Sequence, residues 1–281
     1  MALLNDLSTI FVQSSGAQLC ATDVGQGEAV VFLHAGVADR RMWAEQQARL
    51  QRSFRTVAYD RRGFGLTRSA PEPYDQLVDL MRVLDALAIK RAVLAGCSLG
   101  GRIATQAALV HPDRVRALVV IASAAGVTEV APNYSELVQA RHVALEAADE
   151  AKDLAKVNAI EARLWLDGPD QDEGRVGGSV RDLFLEMNGI ALAAGNVGEA
   201  APGPSLLGRL GELRMPVLLV PCGLDYPEIE LGMRAMARQI PRATLHRLED
   251  CAHLPSLEQP AQVGDLLANF LGQLPPGADF R

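Results

Sequence analysis

Apolar positions along the chain repeat with two alternating periods. Residues 9–13 and 18–23 alternate apolar and polar like a half-buried hairpin, with Ser14-Ser15-Gly16 as the turn. Residues 29–33 (AVVFL) form a short continuous apolar run, as expected of a strand covered on both faces. A helix is predicted over 41–51, a second buried strand over 54–59, and a helix over 74–87. In that last helix Leu77, Leu80, Met81, Leu84 and Leu87 recur every three or four residues. The alternation continues with strand 92–96, helix 99–110 and strand 115–122. After a long segment of different character it resumes as strand 217–221, helix 229–240, strand 244–248 and helix 260–271. Strands and helices in turn predict an α/β fold, a mostly parallel sheet with helices on both faces.

The interruption, 127–210, is helix-rich and carries the breaks Gly168-Pro169, Gly177-Gly178 and Pro202-Gly203-Pro204. It holds 14 acidic and 7 basic residues, so the whole formal charge of −7 resides there and the remainder is balanced. A solvated acidic helical surface accounts for this; the sharper expectation is a field that disfavours polyanionic substrates.

Composition narrows the function classes. The chain has 281 residues, 49% of them hydrophobic and 22% charged, enough to bury a full core without disulfide or metal staples. The acidic balance, with 7 Phe, 4 Tyr and 2 Trp, offers neither the basic footprint nor the stacking platforms of a nucleic-acid binder. No apolar run reaches the roughly 18–20 residues of a membrane helix. The opening residues MALLNDLSTI lack the basic start and apolar stretch of a signal peptide. Cys20, Cys97, Cys222 and Cys251 have no paired metal-ligand spacing and read as free thiols of a reducing cytoplasm.

The strongest chemical signal is Gly96-Cys97-Ser98-Leu99-Gly100-Gly101, a Gly-x-Ser-x-Gly pattern directly after a predicted strand and directly before a predicted helix. A sharp turn there lifts the serine oxygen clear of the sheet and points the Leu99 N–H at a developing oxyanion. A glycine-rich turn with an incidental serine is the alternative. A cysteine nucleophile would need flanking glycines where Ala95 and Leu99 stand, so the register selects Ser98 over Cys97. Serine needs a neighbouring base. Of five histidines, His253 lies in the loop between the last strand and the last helix, at the sheet edge a strand-end nucleophile would share. His34 follows a strand, His111 ends a helix, His142 lies on a solvated face of the acidic segment, and His246 falls inside a strand.

The base in turn needs an acid to fix its tautomer. Asp225 follows strand 217–221 and gives the chain order Ser98, Asp225, His253 of the α/β-hydrolase sheet. A helix-capping role for Asp225 is the alternative; Glu129 is the nearest substitute acid, and Asp250 is too close to His253 in sequence. A second oxyanion donor is expected in His34-Ala35-Gly36, with the Gly36 N–H favoured and Ala35 as the fallback.

These pieces together resemble the α/β-hydrolase superfamily, near its small esterase and enol-lactonase-like members. The matching stretches are HAGVADRRMW (34–43), YDRRGFGLT (59–67), GCSLGG (96–101), HPDRV (111–115), MPVLLVPCGLD (215–225) and CAHLPSLEQP (251–260). Two departures are His-Ala-Gly where the family commonly has His-Gly-Gly or His-Gly-x, and Asp250 where it often has Gly. The resemblance implies an eight-stranded, mostly parallel sheet. Its core would span 1–126 and 211–281, and a helical cap, 127–210, would be inserted after the sixth strand. It implies a structural role for Asp60, Arg61 and Gly63. It also makes Met42, Trp43, Trp165, Met187 and Leu254 candidates for an apolar acyl pocket, with ordinary core packing as the alternative. The implied activity is hydrolysis of a carboxylic ester or lactone of a small-molecule substrate through an acyl-enzyme, with no metal or organic cofactor. C–C bond hydrolysis and cofactor-free perhydrolysis use the same triad. A non-catalytic ligand-binding member is the remaining alternative, against which an intact triad argues.

Overall fold

The computed structural model describes residues 9–124 and 133–275. The opening octapeptide, the boundary at 126–127 and Glu129 therefore lie outside the described residues. The chain forms strands β1 (Thr9–Ser14), β2 (Ala17–Val24), β3 (Ala29–Leu33), β4 (Arg55–Tyr59), β5 (Arg68–Ser69), β6 (Ala92–Cys97), β7 (Val115–Ile121), β8 (Val217–Val220) and β9 (Ala243–Leu245). The sheet runs β1-β2-β4-β3-β6-β7-β8-β9, with β5 paired to β2 off this path. Among the described residues the sheet thus has nine strands, not eight: the added strand is two residues long, too short for any period to reveal. β1 and β2 pair antiparallel, β2 pairs antiparallel with β4, and every later neighbour pairs parallel.

Continuous apolar runs make the central strands because both faces are covered. Every residue of β6, β7 and β8 is buried. Side-chain parity then divides the core. Val31, Leu33, Leu94, Leu118, Val120 and Leu219 face helices α2 (Gln76–Ala86), α3 (Leu99–Val110) and α7 (Pro227–Gln239). Val30, Phe32, Val93, Ala95, Val119 and Val220 face α1 (Ala44–Leu50) and α9 (Pro260–Gly272). The helix expected over 41–51 begins as a 3-10 turn, Arg40–Trp43, capped by Asp39. The strand expected over 244–248 stops at Leu245, leaving His246 exposed beyond it. A short helix α8 (Pro255–Glu258) that the apolar period does not mark follows His253.

Between β7 and β8 lie α4 (Glu136–Glu150), α5 (Leu154–Glu161), a π-helical turn (Ala162–Asp167) and α6 (Gly178–Ala193). Ser135 caps α4 by accepting the Val138 N–H, and Asp153 caps α5 by accepting the Lys156 N–H. Val138, Ala148, Val157, Ile160 and Leu164 pack with Tyr226 as a third apolar cluster, so this helical insert has an interior of its own. No helix among the described residues is long and apolar enough to cross a membrane.

Candidate active site

β6 delivers Ser98 to the sheet's carboxyl edge. Ser98 has φ +53° and ψ −120°, a left-handed backbone that a non-glycine residue adopts only at a cost of about 1–3 kcal/mol. The residues two before and two after it are glycines for want of space. A Cβ on Gly96 would stand 2.3 Å from the Gly100 oxygen, and one on Gly100 would stand 2.2 Å from the Leu33 oxygen. Both obstacles are backbone. We expect Gly100→Ala to destabilise the fold by about 3 kcal/mol or more, because α3 would have to move off β3; thermal or urea unfolding against the parent protein checks this.

The loops after β8 and β9 carry the next two groups. His253 Nδ1 lies 2.7 Å from Asp225 Oδ2, with side-chain exposures of 3% and 0%. A carboxylate only accepts, so this bond places the ring proton on Nδ1 and leaves the Nε2 lone pair free to act as a base. Asp225 Oδ1 accepts the Tyr226 N–H at 2.8 Å, which fixes the carboxylate plane. The His253 loop reaches the Ser98 turn directly: the Cys97 thiol points at the His253 carbonyl, 3.3 Å away. Burial, reinforced by the charges of Asp225 and Glu258, pushes that thiol well above its ordinary range, so it packs as a small apolar group.

Two other histidines, His34 and His142, are otherwise engaged. His34 Nε2 accepts the Arg61 N–H at 3.0 Å and Nδ1 faces the Ala35 carbonyl at 2.7 Å. Burial and the Arg61 guanidinium hold His34 well below its usual range. His142, expected on a solvated face, instead stacks on Tyr226, with its Nε2 2.9 Å from the Tyr226 hydroxyl.

The segment after β3 lies beside the Ser98 turn. A Cβ on Gly36 would come within 4.0 Å of the Leu99 side chain. The Ala35 N–H is turned toward the Met42 thioether at 3.3 Å, so it is spent on the protein itself. The buried Arg61 holds this loop from behind by donating to the Ala35 carbonyl at 2.9 Å. Asp60 accepts from the Arg40 backbone at 2.8 Å, from the Arg40 guanidinium at 2.5 Å and from the Leu66 N–H at 2.8 Å. Both side chains are committed to hydrogen bonds within the fold.

The five apolar candidates separate. Met42 buttresses the Gly36 loop, and Trp43 is fully buried, stacked on Phe32 at 5.0 Å. Those two belong to the core. Met187 and Leu254 are also fully buried, in the cluster that joins α6 to the His253 loop. Trp165 is half-buried with its ring 4.6 Å from that of His253. Trp165 lies on the π-helical turn. Along it Leu164 packs into the insert's interior, Trp165 against the His253 ring, and Leu166 into the main core. Among the described residues no group of three or more His, Cys, Asp or Glu is arranged to hold a metal ion.

Comparison with known proteins places this geometry. The family model described as "Alpha/beta hydrolase family" matches residues 30–266. The chain belongs to that family. It is 29% identical over 282 residues to 2-hydroxymuconate semialdehyde hydrolase of Pseudomonas sp. strain CF600, covering 92% of each. To 3-oxoadipate enol-lactonase 2 of Acinetobacter baylyi it is 26% identical, covering 83% of this chain and 84% of the relative. Among solved structures, an esterase from Thermogutta terrifontis matches with a TM-score of 0.69 and 25% identity, over 96% of this chain and 99% of that one. The esterase and enol-lactonase resemblance is borne out, and with it an α/β-hydrolase fold. Within that family two residues that the sequence did not single out bear on His253. Glu258, 2% exposed, accepts the Ala252 N–H, and Arg175 of the insert pairs with it. Glu258 stands inside the matching stretch CAHLPSLEQP, five residues past the histidine; nothing in the sequence marks Arg175.

Proposed function

We propose that this α/β hydrolase is a serine hydrolase that cleaves a carboxylic ester or lactone of a small substrate through an acyl-enzyme. The observation that carries this is the buried 2.7 Å Asp225–His253 contact beside a serine held at φ +53° on a strand-to-helix turn. Ser98 Oγ attacks the carbonyl as His253 Nε2 takes its proton, with Asp225 stabilising the imidazolium. The Leu99 and Gly36 N–H groups receive the oxyanion, each such donor contributing about 2.7–4 kcal/mol. His253 then passes its proton to the leaving alkoxide. Water attacks the acyl group with His253 again as base, and Ser98 leaves protonated. In a lactone the leaving oxygen stays attached to the acyl chain. No step calls on a metal or an organic cofactor.

The helical insert serves as a cap, contributing Trp165 to the wall above His253. Its acidic excess disfavours polyanions, so a p-nitrophenyl ester of a short acid is expected to exceed the matching acyl-CoA in kcat/KM by about tenfold or more at low salt, converging as salt is raised. Side-by-side initial rates over a salt series check this. A faster acyl-CoA would reverse the assignment of substrate charge.

Incubation with a fluorophosphonate and peptide mapping tests the nucleophile: the adduct is expected on Ser98. Labelling elsewhere, or no labelling, removes the reading. The relative named as a semialdehyde hydrolase supports a second reading, C–C bond hydrolysis on the same triad. It would be preferred if a vinylogous diketone were turned over faster than any ester or lactone.

A further inference from the structure

Beyond the rings of Tyr134, His142 and Trp165 packed on Tyr226, the insert touches the loops of the proposed acid and base at three points. Trp165 lies against the His253 ring at 4.6 Å. Gly168, with φ +106°, packs so close that a Cβ there would stand 2.6 Å from the Leu224 oxygen and 3.4 Å from Ala252 Cβ. Arg175 reaches Glu258 at 2.5 Å. This stretch is itself stiffly built. Asp167, with no exposed side-chain surface, accepts the Gly174 and Val176 N–H groups at 3.0 Å each and pairs with Arg181 at 2.9 Å. Arg141 donates to the Pro169 and Gln171 carbonyls at 2.8 Å. Arg175 closes it by donating to the Asp167 and Leu166 carbonyls at 2.5 and 2.9 Å.

Glu258 holds the backbone just ahead of the histidine. Its carboxylate accepts the Ala252 N–H at 3.0 and 3.1 Å, so the residue before His253 is tied to this side chain. On the far side the His253 carbonyl faces the Cys97 thiol. The backbone of the base is thus fixed from two directions, one of which depends on a buried charge. We propose that Glu258 and Arg175 are positioning residues for His253, and that through them the docked insert sets the orientation of the base. This rests on the triad reading above and assigns Glu258 a task in it.

The electrostatics fit. Burial pushes the Glu258 carboxyl up, while the Arg175 guanidinium and the Ala252 and Leu254 N–H groups pull it back toward the ionised form. Without Arg175 the charge that holds the Ala252 N–H loses its partner. Such a loop can drift by a fraction of an ångström, and a base displaced by 1 Å can lose about 100-fold in rate.

The test is a double-mutant cycle on the full chain with p-nitrophenyl acetate. Arg175→Ala is expected to lower kcat about 10- to 100-fold while KM changes by less than about threefold, and Arg175→Lys should recover most of the loss. In a His253→Ala background the same Arg175→Ala change should cost less than about twofold, because there is no imidazole left to orient. Arg175→Ala at parental kcat would overturn the proposal, as would an equal loss in both backgrounds, which would mark a merely structural role. A His253→Ala protein as active as the parent would remove the triad reading, and this proposal with it. Glu258→Gln, which keeps an acceptor but not the charge, is expected to follow Arg175→Ala; parental kcat there would also overturn it.

Discussion

Ser98→Ala is expected to lower kcat for p-nitrophenyl acetate about a million-fold, to a residue set by the remaining machinery. The change deletes the atom that becomes the acyl carrier, so the two-step route closes and only direct attack by water is left. The Leu99 and Gly36 N–H groups survive the substitution, which is why a rate about 10³- to 10⁴-fold above the uncatalysed reaction should persist. The fold should survive as well. Ser98 is bound into its surroundings through its backbone: its N–H donates to the Ile121 carbonyl at 2.9 Å, and its own carbonyl accepts the Arg102 N–H at 3.0 Å. Alanine tolerates φ +53° no worse than serine does. Steady-state rates, with a matched melting curve and loss of fluorophosphonate labelling, check the prediction together. An unchanged rate in a folded variant would leave the chain a hydrolase in fold without the nucleophile assigned to it.

Much of the candidate site's local structure was legible because its proposed groups sit where local rules are strict. Gly96, Gly100 and Gly101 mark a turn that only glycines fit, and a Cβ on the third would stand 2.9 Å from Ser123 Cβ. Their spacing alone therefore announces the turn. Strands β6 and β7 were legible for a related reason: burial on both faces writes itself as an unbroken apolar run. Where several outcomes satisfy the same pattern, the sequence is silent. Met42, Trp43 and Trp165 are all large apolar residues near a sheet edge. Their fates as loop support, core and neighbour of the His253 ring depend on which element packs beside each, a matter of tertiary contact. The π-helical turn that carries Trp165 leaves no period to read, since it widens a helix for a single turn. Glu258 was hidden differently, as an acidic residue just ahead of the helix predicted over 260–271, where solvent exposure is the ordinary expectation. Only the fold shows that it turns inward onto the Ala252 N–H.

Asp225→Asn is expected to cost about 10⁴-fold in kcat with little change in KM, and the reason lies in the second oxygen of the carboxylate. Asp225 Oδ1 is committed to the Tyr226 N–H at 2.8 Å, and Oδ2 faces His253 Nδ1 at 2.7 Å. An asparagine in the same place must keep its single oxygen on the Tyr226 N–H, because its amide group cannot accept there. Its amino group then faces Nδ1 and donates to it. The imidazole responds by carrying its proton on Nε2, so the atom that should accept from Ser98 no longer has a free lone pair. The side chain, its volume and its packing are nearly unchanged, which separates this loss from the cavity that alanine would leave. Nitrogen-15 spectra of the His253 ring should show the tautomer reversed, and fluorophosphonate labelling of Ser98 should slow in parallel with turnover. Parental kcat in the asparagine variant would mean that another carboxylate orients the base. The first to substitute would then be Glu129, the acid that follows the preceding strand in the chain.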